Sequence, residues 1–563
     1  SGPAGLTKTG DGSVTLKTIN SYTGTTTINA GTLQLGDGVT DGDIASSSTI
    51  ANSGTLVFNR VGSFTYGGVI SGFGNVVKNG AGTQILTADN TLSGATTING
   101  GTLQVGNGGT TGSLGTSVVT NNASLVFNRS NAFTVGGFIG GTGSVSQIGT
   151  GAVTFSGNNS YSGGTTMNPG CTILVSSNNA LGTGLVTLAN GAVLGSTAAN
   201  GTLPNAVVAP AGTTATLSTN GTNLTLNGNI SGSGNLNRTA TGGAATVFLG
   251  GDNSGYTGTF SIENNGNAAT RFNATTAGSA NARWVNNNPT SGRVTVETTG
   301  GTLQFGSLTG TGTLSAQFAA NTIQVGALGL NETYSGVLNQ VGTGILAITK
   351  VGSGTWTLTG NNTYTGATTV NAGTLATGGN SIPNGGKLVI NGGKVQAVGV
   401  EVVDTLFFGG VQQAAGTWGA TGSGATHIDD TRFAGVTGVV SVTTAPVAGY
   451  ATWASANAPG QTISQDHDGD GVPNGVEYFM GLSGSAFTSN PAPASGFVTW
   501  PMGATYTGVY GTDYVVQTST DLLNWTQVPV GTGDNTVTVT AGSSVVYDMP
   551  TGGKRFVRLA VNN

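Results

Sequence analysis

Charge is what this chain has least of: 16 Lys and Arg and 21 Asp and Glu among 563 residues, 7% of the total. The basic residues are scattered and the net charge is −5, so no electrostatic footprint for nucleic acid is present. Cysteine is nearly absent as well. Cys171 stands alone, which excludes an intrachain disulfide. The two histidines, His427 and His467, and the lack of any serine or cysteine with an evident base leave nucleophilic catalysis without a constellation. No carboxylate occurs between Asp89 and Asp252, so a paired acid and base for glycan cleavage has no place on that stretch. A run of about 18 apolar residues is also missing, so nothing reads as a membrane-spanning helix. The sequence opens at Ser1 without a charged, apolar leader, which fits a mature exported protein as well as a cytoplasmic one.

Glycine is what the chain has most of, at 101 residues, with Thr, Ser and Asn supplying the polarity that charge does not. Apolar residues recur between the turns at regular places, which is the mark of repetitive β structure. The unit is clearest at Val351 to Leu375, VGSGTWTLTGNNTYTGATTVNAGTL. Trp356 and Leu358 alternate with threonines as in a half-buried strand, and Asn361-Asn362 marks a turn. A second strand at Thr368 to Val370 runs through Asn371-Ala372-Gly373 into a third at Thr374. Three short strands in such a span form one coil of a β-solenoid, because one coil is too small to bury its apolar face alone.

Aligning the tyrosine-and-glycine turn places Tyr22, Leu92, Tyr161, Tyr256 and Tyr364 at equivalent positions, and LVFNR recurs at Leu56 and Leu125. The first copies are 70 and 69 residues apart, about three coils. If equal turns stack, Val14 and Leu16, Val153 and Phe155, and Trp356 and Leu358 point inward coil upon coil. Asn29, Asn99, Asn168 and Asn371 then share one turn, where left-handed backbone and stacked amides are expected. About 440 residues would give on the order of 20 coils and a shaft of roughly 100 Å. The register is least regular over Ala268 to Asn321.

These copies, GDGSVTLKTINSYTGTTTINAGTLQLG, GAGTQILTADNTLSGATTINGGTLQVG and GSGTWTLTGNNTYTGATTVNAGTL, resemble the autotransporter-associated β-strand repeat, also called the passenger-associated transport repeat. The resemblance covers roughly residues 5 to 380. It implies a right-handed parallel β-helix exported to the bacterial cell surface or beyond. The chain ends FVRLAVNN after a soluble-looking module, where a self-translocating protein would carry a membrane barrel. YATWASANAP, DHDGDGVPNGVEYFMG and YVVQTSTDLLNW resemble instead the C-terminal region of large exported bacterial repeat proteins.

Four segments are expected: a parallel β-helix over 1–380, a glycine-rich cap over 381–445, a linker with Pro446, a short helix and a calcium loop over 446–485, and a small β-sandwich over 486–563. Within the third, Asp466, Asp468, Asp470, Val472, Asn474 and Glu477 occupy positions 1, 3, 5, 7, 9 and 12 of a calcium loop, with Gly471 at the sharp sixth position. That spacing curls carboxylates, the Val472 carbonyl and a bidentate Glu477 about one point, the set of oxygens Ca²⁺ requires. Pro473 replaces the β-branched residue that pairs two such loops, so an isolated loop is expected. Asp37, Asp41 and Asp43 read as an exposed loop, and Asp429-Asp430 beside His427 as a cap loop. Arg271, Arg283 and Arg293 with Trp284 read as surface, and Trp500 and Trp525 as core.

The expected function is that of an all-β, noncatalytic structural protein of the cell surface or extracellular space. The first repeat begins abruptly at Gly5, leaving an incomplete coil whose open edge would take a strand from another copy, so head-to-tail assembly into a filament is expected. The alternative is an adhesin that grips surface glycans through the C-terminal module; a polysaccharide-degrading enzyme is a third reading.

Overall fold

The computed structural model describes residues 2–197, 201–263, 267–444, 449–483, 491–494, 496–504, 506–551 and 555–561. The expected linker at Pro446 and the start of the expected sandwich at 486 lie outside them. The chain forms two compact units, Ser1–Val411 with Gly416–Thr443, and Gln412–Ala415 with Thr444–Asn563.

The first unit is a parallel β-solenoid of about 19 turns. Its short strands pair with the equivalent side of the next coil. In one sheet Leu6 faces Thr26, Thr26 faces Ile50 and Ile50 faces Ile70, steps of 20, 24 and 20 residues. The chain visits three sides in rotation: Ile50–Asn52, Thr55–Phe58 and Phe64–Tyr66, then Ile70–Gly72, Asn75–Lys78 and Thr83–Leu86. Alternate residues of each strand point inward, so the apolar side chains of all three sides meet along one axis. Ile28, Leu33, Ile50, Leu56, Ile70 and Val76 are all buried there.

The stacking differs from expectation in one respect. A three-sided coil of this length spends about seven residues on each side. An interval of 70 residues is therefore about ten sides, three whole coils and one side more. The repeated strand consequently moves one side round the solenoid with each copy. Thr26–Ile28 belongs to the sheet of Leu6–Lys8, Thr96–Ile98 to that of Asn75–Lys78, and Thr165–Met167 to that of Ser144–Gln147. Tyr22, Tyr161 and Tyr364 lie in one solenoid, but equal turns do not lie over one another. What each tyrosine keeps is its local environment: its hydroxyl meets the threonine four residues on, Thr26, Thr165 or Thr368, at 2.8, 2.7 and 2.6 Å.

The asparagine turn is corrected likewise. The left-handed residue is the glycine two places later, with φ of 65°, 63° and 64° at Gly31, Gly101 and Gly373. A Cβ there would also lie 2.3 to 2.4 Å from the carbonyl oxygen of Gly12, Gly82 or Gly352 on the coil beneath, so only glycine fits. Amides do bond along the axis, but with neighbours one coil away: Asn99 Nδ2 to Asn79 Oδ1 at 3.0 Å, and Asn391 Nδ2 to Asn371 Oδ1 at 2.9 Å. Val14 is 41% exposed rather than buried, because Ser13–Leu16 has a neighbouring coil on one side only.

Coils continue past residue 380, since Lys387–Ile390 pairs with Thr405–Phe408 and Lys394–Ala397 with Thr374–Thr377. The cover begins later. Gly399–Val403 pairs with Gly438–Val442, which takes Gly416–Gly419 antiparallel on its other side. Trp418 packs there against Phe408 and Phe433, closing the apolar interior.

Among its described residues the second unit holds two helices, α1 (Tyr450–Asn457) and α2 (Asn474–Met480), and two three-stranded antiparallel sheets. One sheet has Ser544–Asp548 at its centre, between Phe497–Pro501 and Thr536–Thr540. The other has Tyr514–Ser519 between Thr526–Gln527 and Phe556–Val561. Phe479 of α2, Trp500, Tyr514, Val516, Val537, Val545 and Tyr547 make the core. Trp525, expected there, is instead half-buried beneath the Arg558 guanidinium, 4.1 Å from its ring.

Candidate metal centre

The residues before α2 form a tight turn that two left-handed glycines permit, Gly469 at φ 77° and Gly471 at φ 90°. The turn bends the chain back so that Asp466 Oδ1 accepts the Gly469 N–H at 2.8 Å and Oδ2 the Gly471 N–H at 2.7 Å. Asp468 accepts from the Asp470 N–H at 3.2 Å, and Asp470 from the Val472 N–H at 2.8 Å. Ligand oxygens of Asp466, Asp468 and Asp470 all come within 4.8 Å of one another. The amide donors, that of Gly471 first, hold the Asp466 carboxyl below its ordinary range. Carboxylates this close repel one another when ionised unless a cation lies among them, and an all-oxygen set suits a hard dication.

Val472 and Glu477 are buried, Glu477 in the first turn of α2. The buried Asn474 turns its amide to the preceding segment: Oδ1 accepts the His467 N–H at 3.1 Å, and Nδ2 donates to Gln461 Oε1 at 3.1 Å and to the Thr462 carbonyl at 3.2 Å. The donor set thus fits Ca²⁺ at the three aspartates, while Asn474 braces the loop against the residues before it.

Other acidic groups serve the fold. Asp37 accepts two backbone N–H groups, from Val39 at 3.0 Å and Thr40 at 2.7 Å, and pairs with Lys17 at 2.8 Å. Asp41 accepts from Val61 and Gly62 on the next coil at 2.8 and 3.0 Å. Asp43 is buried against Arg60 at 2.8 Å, and burial pushes its carboxyl up to about 6. Arg60 in turn lies over the Phe64 ring at 4.1 Å. Asp429 pairs with Arg432 at 2.7 Å, and Asp430 accepts from Thr421. In the basic interval Arg271 pairs with Glu297 and Arg283 with Glu332, both at 2.7 Å, while Trp284 is buried in the solenoid among Phe260, Phe272 and Phe305. Cys171 is buried, its Sγ 3.3 Å from the Gly149 carbonyl oxygen.

One recurrent device escaped sequence reasoning. Lys8, Lys78, Gln147 and Lys350 each stand two places before a Gly-x-Gly turn, and each is buried. The Lys350 ammonium donates to the carbonyls of Val351, Gly352 and Ala372 at 2.7, 2.9 and 3.2 Å, so it joins its own turn to the next coil. Lys8 does the same with Thr9, Gly10 and Ala30, and Lys78 with Gly80 and Gly100. Gln147 substitutes an amide, donating to Gly149 and Gly151 at 2.9 and 2.7 Å. The signal was present as K/Q-x-G-x-G in each copy.

The passenger-associated-transport-repeat family model matches residues 6–35, 76–105, 145–169 and 348–376, the four segments that carry these clamps. Over 58 residues the chain is 55% identical to the adhesin BmaC autotransporter of Brucella suis biovar 1 (strain 1330), a match covering 10% of this chain and 2% of that relative. No solved structure matches. Four segments of this chain are thus similar to passenger-associated-transport repeats, each with a buried lysine or glutamine bonded to a glycine turn, and all four lie in one parallel β-solenoid.

Proposed function

We propose that this chain is a noncatalytic, exported surface protein of the adhesin type, in which the solenoid is a stalk and the C-terminal unit a calcium-stabilised module. The observation that carries the reading is the set of four passenger-associated-transport repeats stacked in one solenoid, together with the short match to an autotransporter adhesin. The charged groups of the solenoid support it: Asp43, Glu297 and Glu332 are each held by an arginine, an arrangement for fixing coils rather than for moving protons. Immunogold labelling of intact and permeabilised cells tests export; label seen only after permeabilisation would end this reading.

Calcium is proposed at Asp466, Asp468 and Asp470, with the Val472 carbonyl and Glu477 as further ligands and Asn474 at the ninth position, which commonly acts through water. Bound there, the ion would neutralise the carboxylates and fix the turn leading into α2. Calorimetric titration of the full chain with CaCl₂ should give one site, lost in Asp468→Asn/Asp470→Asn.

Head-to-tail assembly has weaker support. Leu6–Lys8 and Ser13–Leu16 lack a second neighbour because they come first in this sequence, and neither the repeats nor the relative adds to the filament reading. Sedimentation at high concentration with calcium present tests it, a monomer being the result that removes it.

A further inference from the structure

We propose that a cavity at one end of the C-terminal unit binds a neutral sugar ring. The inference rests on the adhesin reading and adds to it a place and a ligand class. The cavity measures about 660 Å³ and lies between the segment around Tyr506 to Tyr514 and the hairpin turn at Gly542. That is within the range of roughly 300–1,000 Å³ usual for small-molecule sites.

Three observations select the ligand. First, no charged side chain is among the described residues that line the cavity, so an anionic or cationic ligand would leave its counter-charge behind. Second, its wall contains three tyrosines, Tyr506, Tyr510 and Tyr514, fixed edge-to-face with Tyr506–Tyr514 centroids 5.6 Å apart and Tyr510–Tyr514 5.4 Å. Tyr510 is anchored by its hydroxyl, which donates to the Val528 carbonyl at 2.7 Å and accepts from the Val516 N–H at 3.1 Å. Burial raises the Tyr506 and Tyr514 phenols, so both remain neutral across the physiological range. Tyr506 and Tyr514 are buried and back the wall, and the half-buried Tyr510 is the ring with free area; such a rigid, amphipathic ring offers flat surface at low conformational cost, to which the apolar C–H face of a hexose is the complement. Third, the Gly542 N–H, also in the wall, donates to Met502 Sδ at 3.3 Å. A thioether is a weak acceptor, so this donor gains by turning to a sugar hydroxyl or ring oxygen. A plain hydrocarbon would use the rings but not the N–H.

Val530 lines the cavity yet is 62% exposed, so it stands at the mouth and can be enlarged without touching the core. The test uses the full chain and its Val530→Trp variant, with lactose, maltose and cellobiose as neutral probes, digalacturonate as a charged probe and octanol as an apolar one. Binding is read by saturation-transfer difference NMR, with melting curves to check that the variant is folded. The expected result is binding of at least one neutral disaccharide that weakens about tenfold or more in Val530→Trp, with no signal from digalacturonate. Disaccharide binding unchanged in a folded Val530→Trp overturns the cavity and leaves the adhesin reading standing. Binding of octanol alone, or of none of the probes, overturns the ligand class. If Val530→Trp does not fold, Val530→Phe, a smaller intrusion at the same mouth, should weaken the neutral disaccharide in the same direction, and unchanged binding in that folded variant overturns the cavity.

Discussion

The two units answer the same problem, how to hold β structure together with few charges, in opposite ways. In the solenoid every strand meets its partner one coil away, so each coil depends mainly on its neighbours and its stability is close to a sum of local terms. Ammonium clamps at Lys8, Lys78 and Lys350 tie one turn to the next without any carboxylate, and the Gln147 amide holds its own turn. In the C-terminal unit the pairings join distant segments, Phe497 with Asp548 and Gln517 with Arg558, and three aspartates crowd one turn. Repetition confines a fault to a few coils. Long-range closure makes the smaller unit depend on each of its parts.

The sharpest way to break the comparison is to damage a coil's interior. Trp356 is buried and its Nε1 donates to the Leu308 carbonyl at 2.9 Å, two coils away. Trp356→Ala should cost about 3–5 kcal/mol. Hydrogen exchange should show the loss in the adjoining coils and leave Leu6 to Leu92 protected. Calcium should act on the other unit alone. At a hundredfold excess over its dissociation constant an ion bound only to the folded form adds about 2.7 kcal/mol. Chelation should thus lower the melting transition reported by Trp500 and leave the solenoid's in place. A shift of both transitions would dissolve the distinction.

Smaller effects test the clamps. Lys78→Met leaves the carbonyls of Gly80 and Gly100 without their donor and should cost about 1–3 kcal/mol by denaturant unfolding. Lys78→Gln should cost about 0.5–1.5 kcal/mol, because a glutamine there, like Gln147, reaches the glycine carbonyls of its own turn and leaves the Gly100 carbonyl without its donor. The smallest effect is that of pH. Burial pushes Lys78 and Lys350 down to about 8, from 10.5. The unfolded chain therefore holds these protons more tightly, and the solenoid gains stability as pH rises from about 8 to 10.5. Asp43, raised to about 6 from 3.8, works in the other direction: its contribution is full below 3.8 and is lost as pH rises through 6. Melting curves of the wild-type chain and Asp43→Asn from pH 4 to 7 should converge at the acid end.

Much of this was legible in the residues. The repeats announced parallel coils, and Trp356 and Leu358 lie inward as their alternation predicts. The C-terminal unit was legible as a small β module, but its division into two sheets was not: Ser544–Asp548, the centre of one, is short and sits between glycine and proline turns. For the calcium loop, spacing brought the three aspartates together. It did not foresee the bonds that the Asn474 amide makes with His467, Gln461 and Thr462, since an amide serves protein partners as readily as a cation.

By itself the sequence determined that there are coils, where they turn, which residues are small enough for the turns, and that a turn crowded with aspartates precedes a helix. Only the tertiary structure decided which coil lies against which side. The period of the text is 69 to 70 residues, whereas the period of the backbone is the 20 to 24 residues that hydrogen-bonded neighbours need to close a three-sided turn. The first is not a whole multiple of the second. Each copy is therefore carried one side further round the axis, and the partners that stabilise it are set by pairing rather than by likeness.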